Sequence, residues 1–342
     1  MKNNYKISII MPIFNSEKSL NKTINSIINQ TIGFENIELI LIDDKSTDNT
    51  KKIIEDYAKS YNNIIPIYLT ENSGKPGYVR NIGIDRATSD YFMFMDSDDE
   101  YKKDMCETLY NTIINEKCDL VGCNYIKVDN LTKTYSNIGK NEKIYIYPEE
   151  FIYYKDLVAW NKIFKKSIIL NNNIRFITDK IGEDIIFCME YIFNSNLIVH
   201  LNNYYGYIYY NVEESFSSEN IKWVLNLIEH NYDILNKFKK YLVNMDVDKF
   251  FQPNIKYLIY CSMSLEENDW NSLYKIVNEI YKLEKTVGYS GSYEKELFYK
   301  TINKFIITNH LKIATLIIYI INNIRNNTFI LKIYRRFILK RK

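Results

Sequence analysis

Glycine and proline are scarce in this chain of 342 residues, numbering 10 and 5. Collagen-like repeats and Pro-rich spacers are thereby excluded. The five cysteines (Cys106, Cys118, Cys123, Cys188 and Cys261) are odd in number and form no CxxC pair. They read as reduced, buried thiols of a cytosolic protein. The three histidines, His200, His230 and His310, are scattered and cannot build a His-rich metal site, although His200 could add one ligand to an acidic cluster. Long apolar runs are also missing. The opening MKNNYKISIIMPIF is too short in apolar residues for a signal peptide. The longest run of the tail, Ile313 to Ile321, has nine residues, against about 20 needed to span a bilayer.

What is present is a globular composition. Hydrophobic residues make up 46% and charged residues 25%, enough for a sizeable core and too much for disorder. The length suggests about two domains. The net charge of +2 is unevenly spread. Residues 301–342 hold nine Lys/Arg and no acid, leaving 35 basic against 42 acidic groups in residues 1–300, a net of −7. A mildly acidic body with a basic tail is not a nucleic-acid-coating domain.

The first 125 residues alternate between two patterns. Short β-branched runs occur at Ile7–Met11, Ile37–Ile42, Ile64–Leu69, Tyr91–Met95 and Leu120–Tyr125. Helical stretches lie between them, near Glu17–Gln30, Asp48–Lys59, Gly77–Ala87 and Lys102–Glu116, with Asp48 placed to cap the second. Continuous apolar strands separated by helices predict an α/β fold, a mainly parallel sheet covered on both faces. A hairpin-like alternation follows from about Asn130 to Tyr147, and beyond Glu213 the pattern is almost wholly helical. A boundary is expected near Ser215, dividing 1–215 from 216–342.

In such sheets ligands bind outside the carboxyl ends of the strands. Four strand ends here carry polar groups: Pro12-Ile13-Phe14-Asn15, Asp43-Asp44-Lys45-Ser46, Glu71 to Gly77, and Asp96-Ser97-Asp98-Asp99. Taken singly, each is an ordinary loop or acidic turn. Their convergence on one rim carries the reading. No GxGxxG follows the first strand and no GxxxxGK[ST] occurs anywhere, which argues against a dinucleotide site or P-loop. Alternate carboxylates at a strand end suit Mg²⁺ or Mn²⁺, which also binds phosphate oxygens. Lys75 and Arg80, near a helix N-terminus, are placed for phosphate. Two further segments stand out: the aromatic-polar Trp160-Asn161-Lys162, and Gly182-Glu183-Asp184 ahead of an apolar helix.

With these motifs in this order the chain resembles the GT-A-fold, family 2 glycosyltransferases. The resemblance rests on Ser8 to Asn15, Leu41 to Asp48, Asn72 with Gly74 and Arg80-Asn81-Ile82-Gly83, Asp96 to Asp99, Trp160-Asn161-Lys162 and Gly182-Glu183-Asp184, over about residues 5–215. Lys45 departs from it, since Gly is commoner there. The resemblance implies a GT-A catalytic domain followed by a helical C-terminal domain. It implies that Pro12, Phe14 and Asp44 line the nucleobase while Asp43 supports their loop, that Asn72 belongs to the donor site, that Lys75 and Arg80 lie near the pyrophosphate or shape its loop, and that Asp96 contacts ribose or metal. Asp98 would be the main metal ligand, Asp184 the general base beside Glu183, and Trp160, Asn161 and Lys162 the acceptor side. Ser215 and Ser217 would belong to a loop closing over the donor. The implied cofactor is Mn²⁺ or Mg²⁺, and the implied donor is a UDP-sugar rather than a GDP- or dTDP-sugar.

The expected activity is thus inverting, metal-dependent transfer of a hexosyl or N-acetylhexosaminyl group. The acceptor is a hydroxyl of a cell-surface glycan, teichoic-acid-like polymer or glycolipid. The competing reading is a catalytically silent sugar-nucleotide-binding module or membrane-docked scaffold. A nucleotidyltransferase fits less well, lacking a Gly-rich basic loop after the first strand. On a helical wheel, Lys332, Arg335, Arg336 and Lys340 gather opposite Phe329, Ile330, Leu331, Ile333, Tyr334, Phe337 and Ile338. That pattern suits either an anionic membrane surface or packing on the protein itself. A cytoplasmic enzyme, peripheral at the inner face of the membrane, is the expectation.

Overall fold

The computed structural model describes residues 5–129, 132–137, 141–147, 154, 156–178, 183–210, 221–242, 255–256, 258–263, 269–288 and 297–326. Gly182, Ser215, Ser217 and the basic tail from Phe329 lie outside the described residues. The chain forms two compact units, one of described residues up to Tyr210 and one from Ile221 onward.

The first unit is a ten-stranded mixed sheet. Strands β1 (Ile7–Ile13), β2 (Ile37–Asp43), β3 (Ile64–Tyr68) and β4 (Tyr91–Phe94) pair in parallel in the order β3-β2-β1-β4. They alternate with helices α1 (Leu20–Ile28), α2 (Thr50–Ser60) and α3 (Pro76–Arg86), as the sequence pattern predicts. Beyond β4 the order continues β9-β6-β10-β5, where β5 is Glu100–Tyr101, β6 Leu120–Asp129, β9 Lys162–Lys165 and β10 Ile198–Tyr210. The short β9 runs antiparallel between β4 and β6. Helix α4 (Met105–Asn115) precedes β6, while α5 (Lys166–Asn171) and α6 (Glu183–Phe193) lie between β9 and β10.

The period-two alternation of strands divides the core between the faces. Ile7, Ile9, Met11, Leu39, Leu41 and Met93 pack with α1 and α4 residues such as Ile24 and Leu109. Ile10, Ile40, Ile42, Phe92 and Phe94 pack on the other face with Val79, Ile84, Phe176 and Phe187. Both α3 and α6 are therefore fixed to the face that carries Arg80 and Asp184. Gly83 of α3 lets that helix press onto β1, because a Cβ there would overlap Ile10 Cγ2.

Two local expectations change. The 130–147 segment is not one hairpin: β7 (Thr132–Tyr135) folds back on β6, and β8 (Lys143–Ile146) pairs instead with β10. The cap of α2 is shared, since Asn49 holds the capping position while Asp48 Oδ1 accepts from the Thr50 N–H at 3.0 Å. Asp48 Oδ2 accepts from the Glu17 N–H at 3.1 Å, tying α2 to the loop after β1.

The second unit is helical where described: Ile221–Leu242, Trp270–Val287, Leu297–Ile307 and Leu311–Asn326. Its core includes Ile228, Leu273, Ile276, Ile280, Leu283, Ile306 and Ile318. Asp269 caps the second of these helices through the Asn271 and Ser272 N–H groups, and Gly288 ends it at φ 72°. Among the described residues no helix is long and apolar enough to cross a membrane.

Candidate active site

The expected strand ends meet at one rim. At the end of β2, Asp44 is buried, and its carboxylate accepts from the Ser73 N–H (2.8 Å), the Ser73 hydroxyl (2.9 Å) and the Gly74 N–H (3.0 Å). Asn72 Nδ2 donates to the Asp44 carbonyl at 3.0 Å. Asp44 and Asn72 thus clasp the loop before α3 to the end of β2, which leaves little of the Asp44 carboxylate for a base. Asp43 Oδ1 accepts from the Ser46 N–H at 3.2 Å and shapes its own loop. Lys45 stands at φ 59°, the left-handed region that favours Gly, so this Lys holds a conformation that Gly would adopt without strain. Phe14 is exposed and Pro12 half-buried beside this loop, while Lys75 is exposed at the start of α3.

Arg80 sits elsewhere than expected. It is buried, with its guanidinium shared among three carboxylates: Asp96 Oδ1 at 2.7 Å, Asp184 Oδ1 at 3.2 Å and Glu183 Oε1 at 3.3 Å. The Phe176 ring lies below it, 5.4 Å from the guanidinium carbon. Phe176 in turn stacks on Phe187 of α6 at 3.9 Å, and Phe94 of β4 meets both rings edge-on. This aromatic cluster fixes α3, β4 and α6 together. Against the pyrophosphate reading, Arg80 Nη1 and Nη2 are engaged by carboxylates, while its buried Nε has no partner among the described residues; the side chain joins the Asp96 strand end to the Asp184 helix start.

Asp184 lies in the first turn of α6, with Oδ2 accepting from the Ala159 N–H at 3.4 Å. Burial pushes its pKa up to about 6, against the pull of Arg80 and with the push of Glu183 and Asp96. Asp98 is an exposed residue, yet its carboxyl is desolvated by the rim around it. That desolvation, and then the charge of Asp96, raises its pKa above the usual carboxylate range. Asp99 is wholly buried and accepts from the Tyr207 hydroxyl (2.6 Å) and the Tyr210 N–H (2.8 Å). Burial, with Asp96 and Asp98 adding to it, pushes Asp99 up to about 8. Tyr207 also accepts from the Asp96 N–H at 3.4 Å.

The site is therefore rich in uncompensated negative charge at Asp98. Among the described residues no group of three or more His, Cys, Asp or Glu is arranged to hold a metal. The donor set nonetheless fits a hard divalent cation held by one or two carboxylates, with a substrate phosphate completing the shell. Asp98, together with the Asp96 oxygen that does not bond Arg80, would hold it.

The acceptor-side residues are corrected. Asn161 and Lys162 are fully buried. Asn161 Nδ2 donates to the Cys123 carbonyl and to Asp156 Oδ2 (2.8 Å), and Lys162 Nζ donates to the Val158 carbonyl (2.8 Å) and pairs with Asp156 at 2.9 Å. They hold the 156–161 segment from inside and leave no surface to meet an acceptor. Trp160 is 8% exposed and stacks at 4.2 Å on Tyr207, with Tyr125 edge-on at 4.8 Å. It is a pillar under the surface, not an open sugar platform. His200 is buried, its ring nitrogens facing the Tyr154 hydroxyl and Asn124 Oδ1, and burial lowers its pKa to about 4. It is not a ligand of the Asp cluster. Tyr207, Asp156 and Phe176 are the supporting residues that the sequence reading missed. Only the two-residue spacing of Tyr205, Tyr207 and Tyr209 marks this strand beforehand.

Residues 8–171 match the family described as Glycosyl transferase family 2. The chain is 34% identical over 221 residues to poly(ribitol-phosphate) beta-N-acetylglucosaminyltransferase TarP of Staphylococcus aureus, covering 63% of this chain and 65% of that protein. It is 32% identical over 284 residues to minor teichoic acid biosynthesis protein GgaB of Bacillus subtilis, covering 81% of this chain and 30% of that one. The chain thus spans less than two thirds of the length of either relative. Among solved structures, S. aureus TarS 1–349 in complex with UDP-GlcNAc has a TM-score of 0.65 at 20% identity, covering 94% of this chain and 91% of that chain. That likeness is one of fold.

Proposed function

We propose, from the match of residues 8–171 to Glycosyl transferase family 2, that this chain transfers a sugar from a UDP-sugar to a hydroxyl of a teichoic-acid-like polymer, with inversion. The observation that carries this reading is the single guanidinium of Arg80 bonded to both Asp96 and Asp184. It fixes a candidate base at a set distance from the carboxylates that face the leaving diphosphate. UDP as the nucleotide is supported by the UDP-GlcNAc named with the TarS structure. The polymer acceptor is supported by the likeness to a poly(ribitol-phosphate) N-acetylglucosaminyltransferase, TarP, and to the minor teichoic acid biosynthesis protein GgaB.

In this mechanism Asp184 Oδ takes the proton of the acceptor hydroxyl. The acceptor oxygen forms its bond to the anomeric carbon as the bond from that carbon to the β-phosphate oxygen breaks. Both electrons of the broken bond leave with UDP. A single base opposite the leaving group gives in-line displacement and inversion. A divalent cation bound at Asp98 and Asp96 would neutralise the departing diphosphate. Lys75, exposed at the start of α3, adds positive charge on that side, and Phe14 offers an exposed ring to the nucleobase. Asp44 acts by holding the Ser73–Gly74 loop in place.

Incubation with UDP-GlcNAc or UDP-glucose, Mn²⁺ and poly(ribitol phosphate) should release UDP and label the polymer. UDP-sugar binding without any turnover, on this or other hydroxyl acceptors, would favour the silent binding module instead. The basic tail is read as a peripheral anchor on anionic membrane from the cytoplasmic side. Failure of the full-length chain to co-sediment with anionic vesicles at low salt would refute that anchor.

A further inference from the structure

Tyr209, two residues beyond Tyr207 on the same face of β10, stacks parallel to Trp160, with ring centres 5.9 Å apart and planes 4° apart. Register pairs it with Lys127 of β6, whose ammonium lies 5.9 Å from the centre of its ring. Unlike Trp160, both are partly open: Tyr209 is half-buried and the Lys127 side chain is 37% exposed. On its Tyr207 side, Trp160 stacks on a ring whose hydroxyl donates to Asp99 Oδ2 at 2.6 Å. Ala159, the neighbour of Trp160, donates its N–H to Asp184. The stack is therefore tied through Tyr207 to the Asp96–Asp99 strand end and through Ala159 to the candidate base.

We propose that Tyr209 and Lys127, supported from beneath by Trp160, form the platform that seats the acceptor's hydroxyl-bearing unit. This rests on the glycosyl-transfer reading above. The C–H face of a sugar or polyol packs on the Tyr209 ring. The Lys127 ammonium takes an oxygen of the same unit or its phosphodiester. Its pairing with Asp129 is long, at 3.8 Å, with no hydrogen bond between the two, and yields to a ligand. The tilt of Tyr209 is set by Trp160 and Lys127 in the free protein, so little ordering is left for binding to accomplish.

The test is calorimetric titration of a poly(ribitol phosphate) oligomer into protein saturated with UDP and Mn²⁺, with UDP affinity measured separately. Tyr209→Ala and Lys127→Gln should each weaken the oligomer roughly tenfold or more while UDP affinity holds, and Tyr209→Phe should keep oligomer affinity near normal. Tyr135→Ala serves as control, since its ring, 59% exposed, pairs with Ile126 on the opposite face. Unchanged oligomer affinity in both Tyr209→Ala and Lys127→Gln would overturn the platform. So would wild-type protein that binds UDP but not the oligomer. Wild-type protein that binds neither would instead overturn the underlying reading. A thermal melt of each variant separates lost binding from lost folding.

Discussion

Arg80 Nη1 lies 3.2 Å from Asp184 Oδ1 while Nη2 of the same group lies 2.7 Å from Asp96 Oδ1. The proposed base and the Asp96 strand end are thus held by one buried cation, and the consequences can be measured separately.

Removing proton acceptance at Asp184 should cost rate and spare the donor. Asp184→Asn is expected to lower kcat by roughly 10²- to 10⁴-fold with donor Kd within about twofold, read by UDP-release kinetics and calorimetry. Near-normal turnover would reassign the base.

The pH profile follows from the same carboxyl. Asp184 acts when ionised, and burial raises its pKa to about 6, so the active form is lost as pH falls through that value. The wild-type kcat/KM should drop about tenfold per pH unit below it. Asp184→Asn should lack this limb; an acid limb that persists in the variant belongs to another group.

Asp98 is the exposed end of the carboxylate cluster. Asp98→Ala should leave the melting temperature near wild type and abolish the Mn²⁺-dependent part of donor binding. Full activity in excess EDTA would remove the cation from the mechanism.

Arg80 is different in kind, because it is buried and compensates three acids. Arg80→Met leaves Asp96, Glu183 and Asp184 without their shared partner, and breaking a buried ion pair this way costs about 3–5 kcal/mol. Urea denaturation should show that loss. Lys at this position should not rescue, since one ammonium cannot span carboxylates on two elements.

Gly83 tests the seat of α3. Gly83→Ala would drive a methyl into Ile10 and should destabilise by about 1–3 kcal/mol through overpacking. Activity should fall with it, because α3 carries Arg80. A variant as stable as wild type would show that the helix can shift on β1.

The parallel half of the sheet is legible in the sequence because its strands are continuous apolar runs and its site residues follow them directly. Asp43, Asp44, Asp96 and Asp98 are found by position alone. Less legible are groups whose role depends on a partner far along the chain. Arg80 looks like a phosphate donor because its spacing from Lys75 is visible, whereas Glu183 and Asp184, its partners, lie more than 100 residues away. Asn161 and Lys162 look like surface groups because polar residues usually are. Only the fold brings Asp156 beneath them. The β7 and β8 pairings escape the sequence for the same reason, as alternation marks a strand without naming its neighbour.

The position of β9 also sets an order of assembly. Residues 162–165 fill the gap between β4 at 91–94 and β6 at 120–129. During synthesis the first 125 residues can emerge with the parallel half paired, while β4 and the facing edge of β6 stay open until Lys165 has left the ribosome, and the other edge of β6 until β10 follows. Nascent chains stalled before that point would present two unpaired, apolar borders, the state in which strands join the wrong chain. Slowing translation between about Asp129 and Lys165 should therefore lower soluble yield even where the finished protein is equally stable.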